Sequence, residues 1–188
     1  SLGLSTKLLC IGMIGEIRPN RGHELAINVI NNFSNVQLLI AGRCKDALYL
    51  KELQNLIHKS SNNKIIIKVG NLSDSEYNEF VAVTDASLLP YHNVTTSGAL
   101  MSSWTIGTPV IASDLPYFTE MISKGGSADS TFSLNNEAEL IELIKQYTEL
   151  DWLQVRRDTL QNAEQYRWDL VVKPLIEKLN LCLAKRTK

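Results

Sequence analysis

The stretch that decides the fold runs from Leu8 to Asn32 and reads LLCIGMIGEIRPNRGHELAINVINN. It opens with an uninterrupted apolar run, Leu8 to Ile14, and closes with apolar residues every three or four positions from His23 to Asn32. A continuous apolar run predicts a strand of a parallel sheet covered on both faces, and the later spacing predicts an amphipathic helix. Between them lies a loop, Gly15 to Gly22. The stretch therefore predicts a strand, a loop and a helix, with the loop at the carboxyl end of the strand.

The same alternation of short apolar runs and helical patterns continues along the chain. Further strands are predicted at Val36–Ala41, Ile65–Val69, Ala86–Leu89, Pro109–Ala112 and Thr131–Phe132. Helices are predicted at Leu48–Lys59, Ser75–Val83, Gly98–Ile106, Tyr117–Ile122 and Glu137–Tyr147. This order predicts an α/β fold with a doubly wound, mainly parallel, Rossmann-like sheet.

The chain is expected to form a single domain over residues 1–188, with a Rossmann-like core at 7–148 and C-terminal helices at 149–188. These helices are predicted at Trp152–Gln165 and Asp169–Ala184 and would wrap around the core. Trp104 and Trp168 lie in helical apolar patterns, which predict that both side chains pack against the protein.

Composition excludes several classes of function. Lys and Arg total 19 against 20 for Asp and Glu, so a net charge of −1 argues against binding of nucleic acid through bulk charge. Three cysteines without Cys-x-x-Cys spacing indicate neither a disulfide framework nor a zinc site, and no metal is expected. The longest apolar runs are far shorter than the ~20 residues that span a bilayer. We expect a cytoplasmic protein with at most peripheral contact at the inner face of the membrane. The basic end at 185–188 is a candidate for this contact, but a frayed, solvated tail is the favoured interpretation.

The first loop is a candidate anion site. Arg18 and Arg21 offer two guanidinium groups directly after the first strand, which suits a pyrophosphate clamp, and Gly15 lets the backbone approach a ligand closely. A solvated surface loop is the alternative interpretation of the same residues.

A second candidate anion site follows the fourth predicted strand. Thr96 and Ser97 are residue types that cap helix N-termini, and Gly98 opens the first turn, so the positive end of this helix could hold phosphate oxygens. A helix cap without a ligand is the alternative. Because both loops follow strands of the same parallel sheet, we predict that they converge at its carboxyl edge.

Five ordered segments together resemble one family of sugar transferases. They are Gly15–Gly22, Leu38–Gly42, Ile67–Leu72, Asp85–Pro90 and Gly107–Ala112. In this order they resemble the C-terminal domain of glycosyltransferase family 4, whose enzymes have the two-domain GT-B fold. The resemblance covers roughly residues 7–123, and Tyr166-Arg167-Trp168 resembles the family's closing helices. It implies that a sugar linked to a nucleoside diphosphate lies across the carboxyl edge of the sheet.

The resemblance also implies roles in phosphate binding. A Gly-Arg pair followed by Lys-Gly binds the pyrophosphate in the family, and Gly15-Glu16 and Arg21-Gly22 occupy those places here. Arg21 can replace the lysine. A carboxylate repels a diphosphate, so Glu16 cannot replace the arginine, and Arg18 is expected to supply the second positive charge.

The remaining candidates concern the nucleoside and the sugar. The turn with Asn71 and Leu72 matches the family's loop at the nucleotide base, with a plain strand-to-helix turn as the alternative. The family's two glutamates at the sugar and the ribose would fall near Val94 and at Ser102, so both carboxylates are missing. Thr96-Ser97-Gly98 resembles the version of this loop in bacterial exopolysaccharide transferases.

Two further residues are candidate sugar contacts. His92 lies in the loop after the fourth strand, and Glu120 matches a family acid near the donor. The alternatives are a solvent-facing loop histidine and an ordinary helix-surface glutamate.

We therefore expect the donor-binding half of a glycosyltransferase that moves a hexose from a nucleotide-diphosphate sugar to a polysaccharide or a lipid-linked glycan. No cofactor beyond this substrate is expected. An N-terminal domain that would bind the acceptor is expected to be missing from this chain, so no catalytic residue is assigned and the chain alone should be inactive.

Two other functions fit parts of the sequence. A non-catalytic nucleotide-binding or protein-interaction module of the same fold would show the missing glutamates. A flavodoxin-like receiver or cofactor protein needs an acidic cluster or a flavin loop after the first strand, and the loop from Arg18 to Arg21 has the wrong charge.

Overall fold

A six-stranded parallel sheet forms the centre of the part of the chain that the structure describes. The structure is a computed structural model that describes residues 3–60, 64–126 and 128–186. Its strands are β1 Leu9–Ile14, β2 Val36–Gly42, β3 Ile65–Val69, β4 Ala86–Leu89, β5 Val110–Ser113 and β6 Ser130–Phe132. They lie in the order β3-β2-β1-β4-β5-β6. The predicted doubly wound parallel sheet is confirmed.

Helices connect the strands and cover both faces of the sheet. They are α1 His23–Ile30, α2 Ala47–Lys59, α3 Asp74–Ala82, α4 Gly98–Ile106, α5 Pro116–Ile122, α6 Glu137–Tyr147, α7 Trp152–Ala163, α8 Trp168–Val171 and α9 Lys173–Arg186. Several begin at a side chain that accepts hydrogen bonds from the first-turn amides. Asp46 caps α2, Asn136 caps α6, and Ser73 and Glu76 form a capping box at α3. None of the helices in the described ranges combines the length and the apolar character that crossing a bilayer requires.

The central strands are buried on both faces, as their largely apolar sequences predict. Every residue of β1 and β2 is buried. In β1, Ile11 and Met13 pack into the core that contains α1 and α6, while Cys10 and Ile14 pack on the other face against α3. In contrast, Lys68 and Val69 of the edge strand β3 are exposed. Helices on both faces leave only the ends of the strands open to a ligand.

The strand order reverses direction at β1. The chain moves outward from β1 to β2 and β3, then returns to place β4 on the other side of β1, with Ile11 opposite Ala86 and Gly12 opposite Ser87. Ligands of open α/β sheets bind in the crevice at the carboxyl ends of the strands beside such a reversal. The loops that follow β1 and β4 border this crevice.

The C-terminal helices only partly match the predicted wrap. Helix α7 packs on α4, and Arg156 donates hydrogen bonds to the carbonyl groups of Ala82 and Thr84. Trp104 is fully buried, as predicted, and its ring packs against that of Tyr166. The packing predicted for Trp168 is wrong, because this side chain is 78% exposed. The side chains of the basic end at 185–188 lie outside the described residues.

Candidate functional site

The loops after β1 and β4 touch at the carboxyl edge of the sheet, which confirms the predicted convergence. Gly22 has a φ of +70°, and a Cβ atom there would lie 2.3 Å from the carbonyl oxygen of Pro90. Only glycine allows both this backbone conformation and this approach. The His92 amide donates to the Asn20 carbonyl at 3.0 Å, and the Asn20 side chain donates to Asn93 at 3.0 Å. These contacts hold the two loops side by side.

Arg21 is held against an aromatic ring at this junction. Its guanidinium carbon lies 3.7 Å from the centre of the Tyr91 ring, and Tyr91 is itself buried and packed against Phe118. A cation over an aromatic face is attracted by the negative face of the ring. Arg21 also lines one cavity with Arg18 and Thr96. Three residues predicted to bind phosphate therefore share one wall.

The start of α4 borders the same junction. Ser97 is the predicted N-cap, and its buried hydroxyl accepts a hydrogen bond from the Leu100 amide at 3.2 Å. This bond occupies one amide of the first turn. Gly98 begins the helix at an exposed position, and the space around it is open, because even a Cβ atom there would meet nothing within 4 Å. An anion can thus approach the positive end of the helix from the side of Gly98.

A second cavity lies at the loop after β3, and it is lined by Glu16, which pairs with Arg18 of the first cavity. Asn71 and Leu72, the residues predicted to meet the nucleotide base, line it together with Gly15 and Tyr77. Ser102 is half-buried on α4, and its side chain lowers the pKa of Tyr77, which lines this cavity. Burial raises the pKa of Tyr77, so its hydroxyl stays protonated at neutral pH. The residues predicted for the nucleoside thus lie next to those predicted for the phosphates.

Glu16 lies between two cations. Its carboxylate is 3.3 Å from the Arg18 guanidinium and 3.5 Å from the Lys45 ammonium, with both partners partly exposed. The two positive charges offset the repulsion that we expected between Glu16 and a diphosphate. The charge that Arg18 was expected to offer to a phosphate is therefore shared with Glu16.

The two predicted sugar contacts lie in different parts of the structure, His92 in the loop after β4 and Glu120 on α5. The side chain of His92 is exposed in the loop after β4, close to Asn20 and Asn93. Glu120 lies on α5, is exposed, and forms a 2.8 Å ion pair with Lys124 one helical turn away. It lies outside the cavities described above, so the structure does not bring Glu120 together with the other candidates.

Sequence reasoning missed a buried polar chain beneath the first loop. The His23 ring lies 3.3 Å from the Tyr49 hydroxyl, which donates a 3.0 Å hydrogen bond to Glu24. The pKa of His23 is lowered to about 4, mainly by burial; the Arg18 backbone opposes this shift, and the positive charge of Arg21 adds to it. His23 is thus neutral at pH 7.

The sequence contains only weak signals for the contacts of His23 and Tyr91. His23 opens the helix after the loop, and Tyr91 directly follows a buried strand, but neither position identifies a partner. Over the described ranges, no group of His, Cys, Asp and Glu side chains has the arrangement of a metal site.

Comparisons with known proteins agree with this geometry. The family model described as "Glycosyl transferases group 1" matches residues 1–166. Anabaena HepE, solved with UDP and glucose, aligns with a TM-score of 0.75 at 18% identity, over 93% of this chain and 48% of that one. No curated protein sequence matches the chain significantly.

Two further solved structures share the fold. WaaG, a glycosyltransferase involved in lipopolysaccharide biosynthesis, gives a TM-score of 0.71 at 17% identity, over 93% of this chain and 47% of WaaG. Sucrose-phosphate synthase from Thermosynechococcus elongatus gives 0.79 at 15% identity, over 98% of this chain and 48% of the synthase. The chain therefore spans about half the length of these proteins.

Proposed function

The chain belongs to the glycosyl transferases group 1, and from this premise we propose that it is the donor-binding domain of a glycosyltransferase that uses a nucleotide-diphosphate sugar. Within this group we propose a family 4-like enzyme, on the ordered segments described above. The domain would form one wall of the active-site cleft.

One observation supports this proposal above all: a basic cavity and a mixed polar and apolar cavity at the carboxyl edge of the sheet are linked by the ion pair between Arg18, which lines the first, and Glu16, which lines the second. The first contains Arg18, Arg21 and Thr96, and the second contains Asn71 and Leu72. A nucleoside diphosphate has the same two parts, an anionic end and a planar base. The binding of UDP and glucose by HepE, which has the same fold, supports this assignment.

The mechanism that we propose for this half is electrostatic. When the sugar leaves, negative charge develops on the departing nucleoside diphosphate. Arg21, Arg18 and the amides at Ser97 and Gly98 would stabilise that charge in a site arranged before the substrate binds. No acid or base is assigned within this chain, because the acceptor would be positioned by the other wall of the cleft.

We propose a hexose as the transferred sugar and a polysaccharide or lipid-linked glycan as the acceptor, in exopolysaccharide or cell-envelope synthesis. The loop with Thr96, Ser97 and Gly98 and the likeness to WaaG support this part. With such an acceptor, we propose that the enzyme works in the cytoplasm, with peripheral contact at the inner face of the membrane.

Calorimetric titration tests the donor site. UDP, ADP and GDP, their glucose derivatives and the parent nucleosides are each titrated into the chain. At least one nucleoside diphosphate should bind, and its nucleoside should bind much more weakly, because the basic cavity recognises the phosphates. Equal binding of a nucleoside and its diphosphate would overturn the site.

Activity is tested separately by incubating the chain with a nucleotide-diphosphate hexose and glycan acceptors. We expect no transfer by this half alone, because the loss of acceptor positioning removes the effect of proximity. Rapid transfer by the purified chain would contradict the assignment of the acceptor site to another domain.

A further inference from the structure

The first loop begins beside the loop that follows β2. The Ile17 amide donates to the Arg43 carbonyl at 2.8 Å, and Ile17 forms a parallel bridge with Cys44. Because the Ile17 side chain is only 1% exposed, this end of the loop is anchored in the core. Arg18 and Arg21, which are expected to bind phosphate, come after this anchor. Their positions therefore also depend on what holds the other end of the loop.

Tyr49 holds the other end of the loop from the first turn of α2. Asp46 caps this helix and accepts a 3.0 Å hydrogen bond from the Tyr49 amide, which fixes the Tyr49 backbone. The buried side chain of Tyr49 reaches His23, the residue that directly follows the loop. Nδ1 of His23 lies 3.3 Å from the Tyr49 hydroxyl oxygen, and the two rings meet edge to face with their centres 6.2 Å apart. The loop is thus fastened at both ends to residues that follow β2.

The hydrogen bonds of Tyr49 have a defined direction. Its hydroxyl group has one proton, which it donates to the Glu24 carboxylate at 3.0 Å. The hydroxyl oxygen then accepts from His23, whose neutral ring carries its single proton on Nδ1. The chain from His23 through Tyr49 to Glu24 gives the buried ring a partner and keeps it in one orientation.

His23 and Arg21 border the same space. Both line a small cavity together with Tyr91, and the Arg21 guanidinium lies 3.7 Å from the centre of the Tyr91 ring. Gly22 alone separates the two residues in the chain, so a change in the His23 ring alters the packing and the backbone beside Arg21. We infer that Tyr49 is a positioning residue for phosphate binding, because its hydroxyl fixes the His23 ring and thereby holds Arg21 where a diphosphate binds. This role rests on the proposed function.

Removal of the hydroxyl should weaken phosphate binding without removing any group that touches the ligand. Tyr49→Phe keeps the buried ring, but it leaves the His23 donor without its acceptor. A loop that is less ordered before binding loses more conformational entropy when a diphosphate orders it. We expect the diphosphate to bind about three- to ten-fold more weakly, as for the loss of a typical hydrogen bond, and the parent nucleoside to change by less than about two-fold.

Calorimetric titration of UDP, ADP and GDP and of their nucleosides into matched variants tests this role. Tyr147→Phe is the control, because Tyr147 is a buried tyrosine on α6 whose hydroxyl also donates one hydrogen bond, to the Ala128 carbonyl. It lies outside the cavities of the candidate site and should keep the wild-type affinity for each diphosphate. Wild-type affinity of Tyr49→Phe, or an equal loss in Tyr147→Phe, would overturn the inference and leave the donor site intact. So would a loss in Tyr49→Phe that is as large for the nucleoside as for its diphosphate.

A double-variant cycle shows whether Tyr49 acts through Arg21. When Arg21 is already replaced by alanine, Tyr49→Phe should weaken diphosphate binding by less than about two-fold, since no guanidinium is left to position. A merely structural effect of Tyr49 would instead add to that of Arg21→Ala. A loss as large as that in the wild-type background would therefore contradict the positioning role.

A second pair of variants decides the question even if Tyr49→Phe does not fold. Glu24 is only half-buried, so its replacement should leave the fold intact. Glu24→Gln and Glu24→Ala remove the same negative charge, but only glutamine keeps an oxygen that accepts from Tyr49. Glu24→Ala should bind the diphosphate more weakly than Glu24→Gln by about two-fold or more, and equal affinities would count against the inference. No binding of any of the diphosphates to the wild type would overturn the proposed function, and the inference with it.

Discussion

Arg21 is positioned by its neighbours before any ligand binds. The Tyr91 ring supports one face of the guanidinium at 3.7 Å, and the close packing of Gly22 against Pro90 fixes the backbone next to it. A side chain that is already ordered loses less conformational entropy when a phosphate binds. This arrangement makes Arg21 a better phosphate ligand than an arginine on a free surface loop.

We predict that Arg21→Ala weakens the binding of a nucleoside diphosphate by roughly ten- to a hundred-fold, because a hydrogen bond to a charged group is lost. Arg21→Lys should recover part of the affinity, since it keeps the charge but loses the flat stacking on Tyr91. Calorimetric titration of the three proteins measures this. The parent nucleoside is the control and should bind all three alike. Equal affinity of the wild type and Arg21→Ala for the diphosphate would move the phosphate site away from this loop.

His23 should make the stability of the fold depend on pH. Burial holds its pKa at about 4 in the folded protein, below the ordinary value of 6.5. As the pH falls below 6.5, the unfolded chain binds a proton at this residue before the folded protein does. Stability present above pH 6.5 is therefore lost as the pH falls towards 4.

We predict that the titration of His23 alone lowers the free energy of unfolding by roughly 2 to 3 kcal/mol when the pH falls from 7 to 4. Between the unfolded and the folded pKa, the loss is about 1.4 kcal/mol for each pH unit. Urea unfolding of the wild type and His23→Gln at several pH values measures the difference. The variant should have a flatter dependence, whatever its stability at pH 7. Parallel curves for both proteins would show that His23 does not carry this effect.

At the scale of the elements, strands and helices were predictable because local chemistry determines them. β1 contains no polar side chain and β2 contains only Gln37, and Ser73 with Glu76 marks the start of α3 within the sequence itself. Side-chain partners in the site were less predictable. The contact of Arg21 with Tyr91, and that of Glu16 with Lys45, depends on which loops lie side by side, and this follows only from the strand order.

The apolar face of α9 shows another limit of sequence patterns. Leu175 and Leu179 recur at helical spacing, which predicts a packed face, yet they are 58% and 53% exposed. Periodicity reports that one side of a helix is apolar and does not report what covers it. In the described part of the chain, the apolar face of α9 is largely exposed and adds little to the hydrophobic core.

We predict that the double variant Leu175→Gln with Leu179→Gln changes the melting temperature by only about 1 °C. Both side chains are already in contact with water, and leucine and glutamine have similar helix propensities. The matched control is Leu140→Ala on α6, which is fully buried and should cost about 2 to 5 kcal/mol. Thermal unfolding followed by circular dichroism compares them. A loss for the double variant as large as that for Leu140→Ala would show that α9 is packed in solution.

At the scale of the whole molecule, the candidate site joins the two halves of the sheet. Arg21 follows β1, Ser97 and Thr96 follow β4 on one side of it, and Asn71 follows β3 at the far edge on the other side. The chain as a whole has a net charge of −1, so attraction for an anion comes from these few cations and not from the surface field. A ligand that contacts all three loops should therefore stabilise the fold as a unit.

The stabilisation by a ligand follows from its affinity for the folded state. At a concentration 100 times its dissociation constant, a nucleoside diphosphate should add about 2.7 kcal/mol, or a rise of roughly 5 to 11 °C in melting temperature for a chain of this size. At the same concentration, Arg21→Ala would be at only about one to ten times its own dissociation constant. The stabilisation of this variant by the ligand should therefore fall to about 0.4 to 1.4 kcal/mol, or a rise of roughly 1 to 6 °C in melting temperature.

Thermal unfolding with and without the ligand, at one fixed concentration, measures both shifts, and the parent nucleoside at that concentration is the control. We expect a large shift for the wild type, a smaller one for Arg21→Ala, and a minor one for the nucleoside in either protein. Arg21 is half-buried and packs on Tyr91, so the variant should unfold below the wild-type temperature when no ligand is present, and each ligand-induced shift is therefore measured against the same protein without ligand. Equal ligand-induced shifts in the two proteins would mean that the ligand stabilises the fold through contacts elsewhere, and the junction of the β1 and β4 loops would then not be the phosphate site.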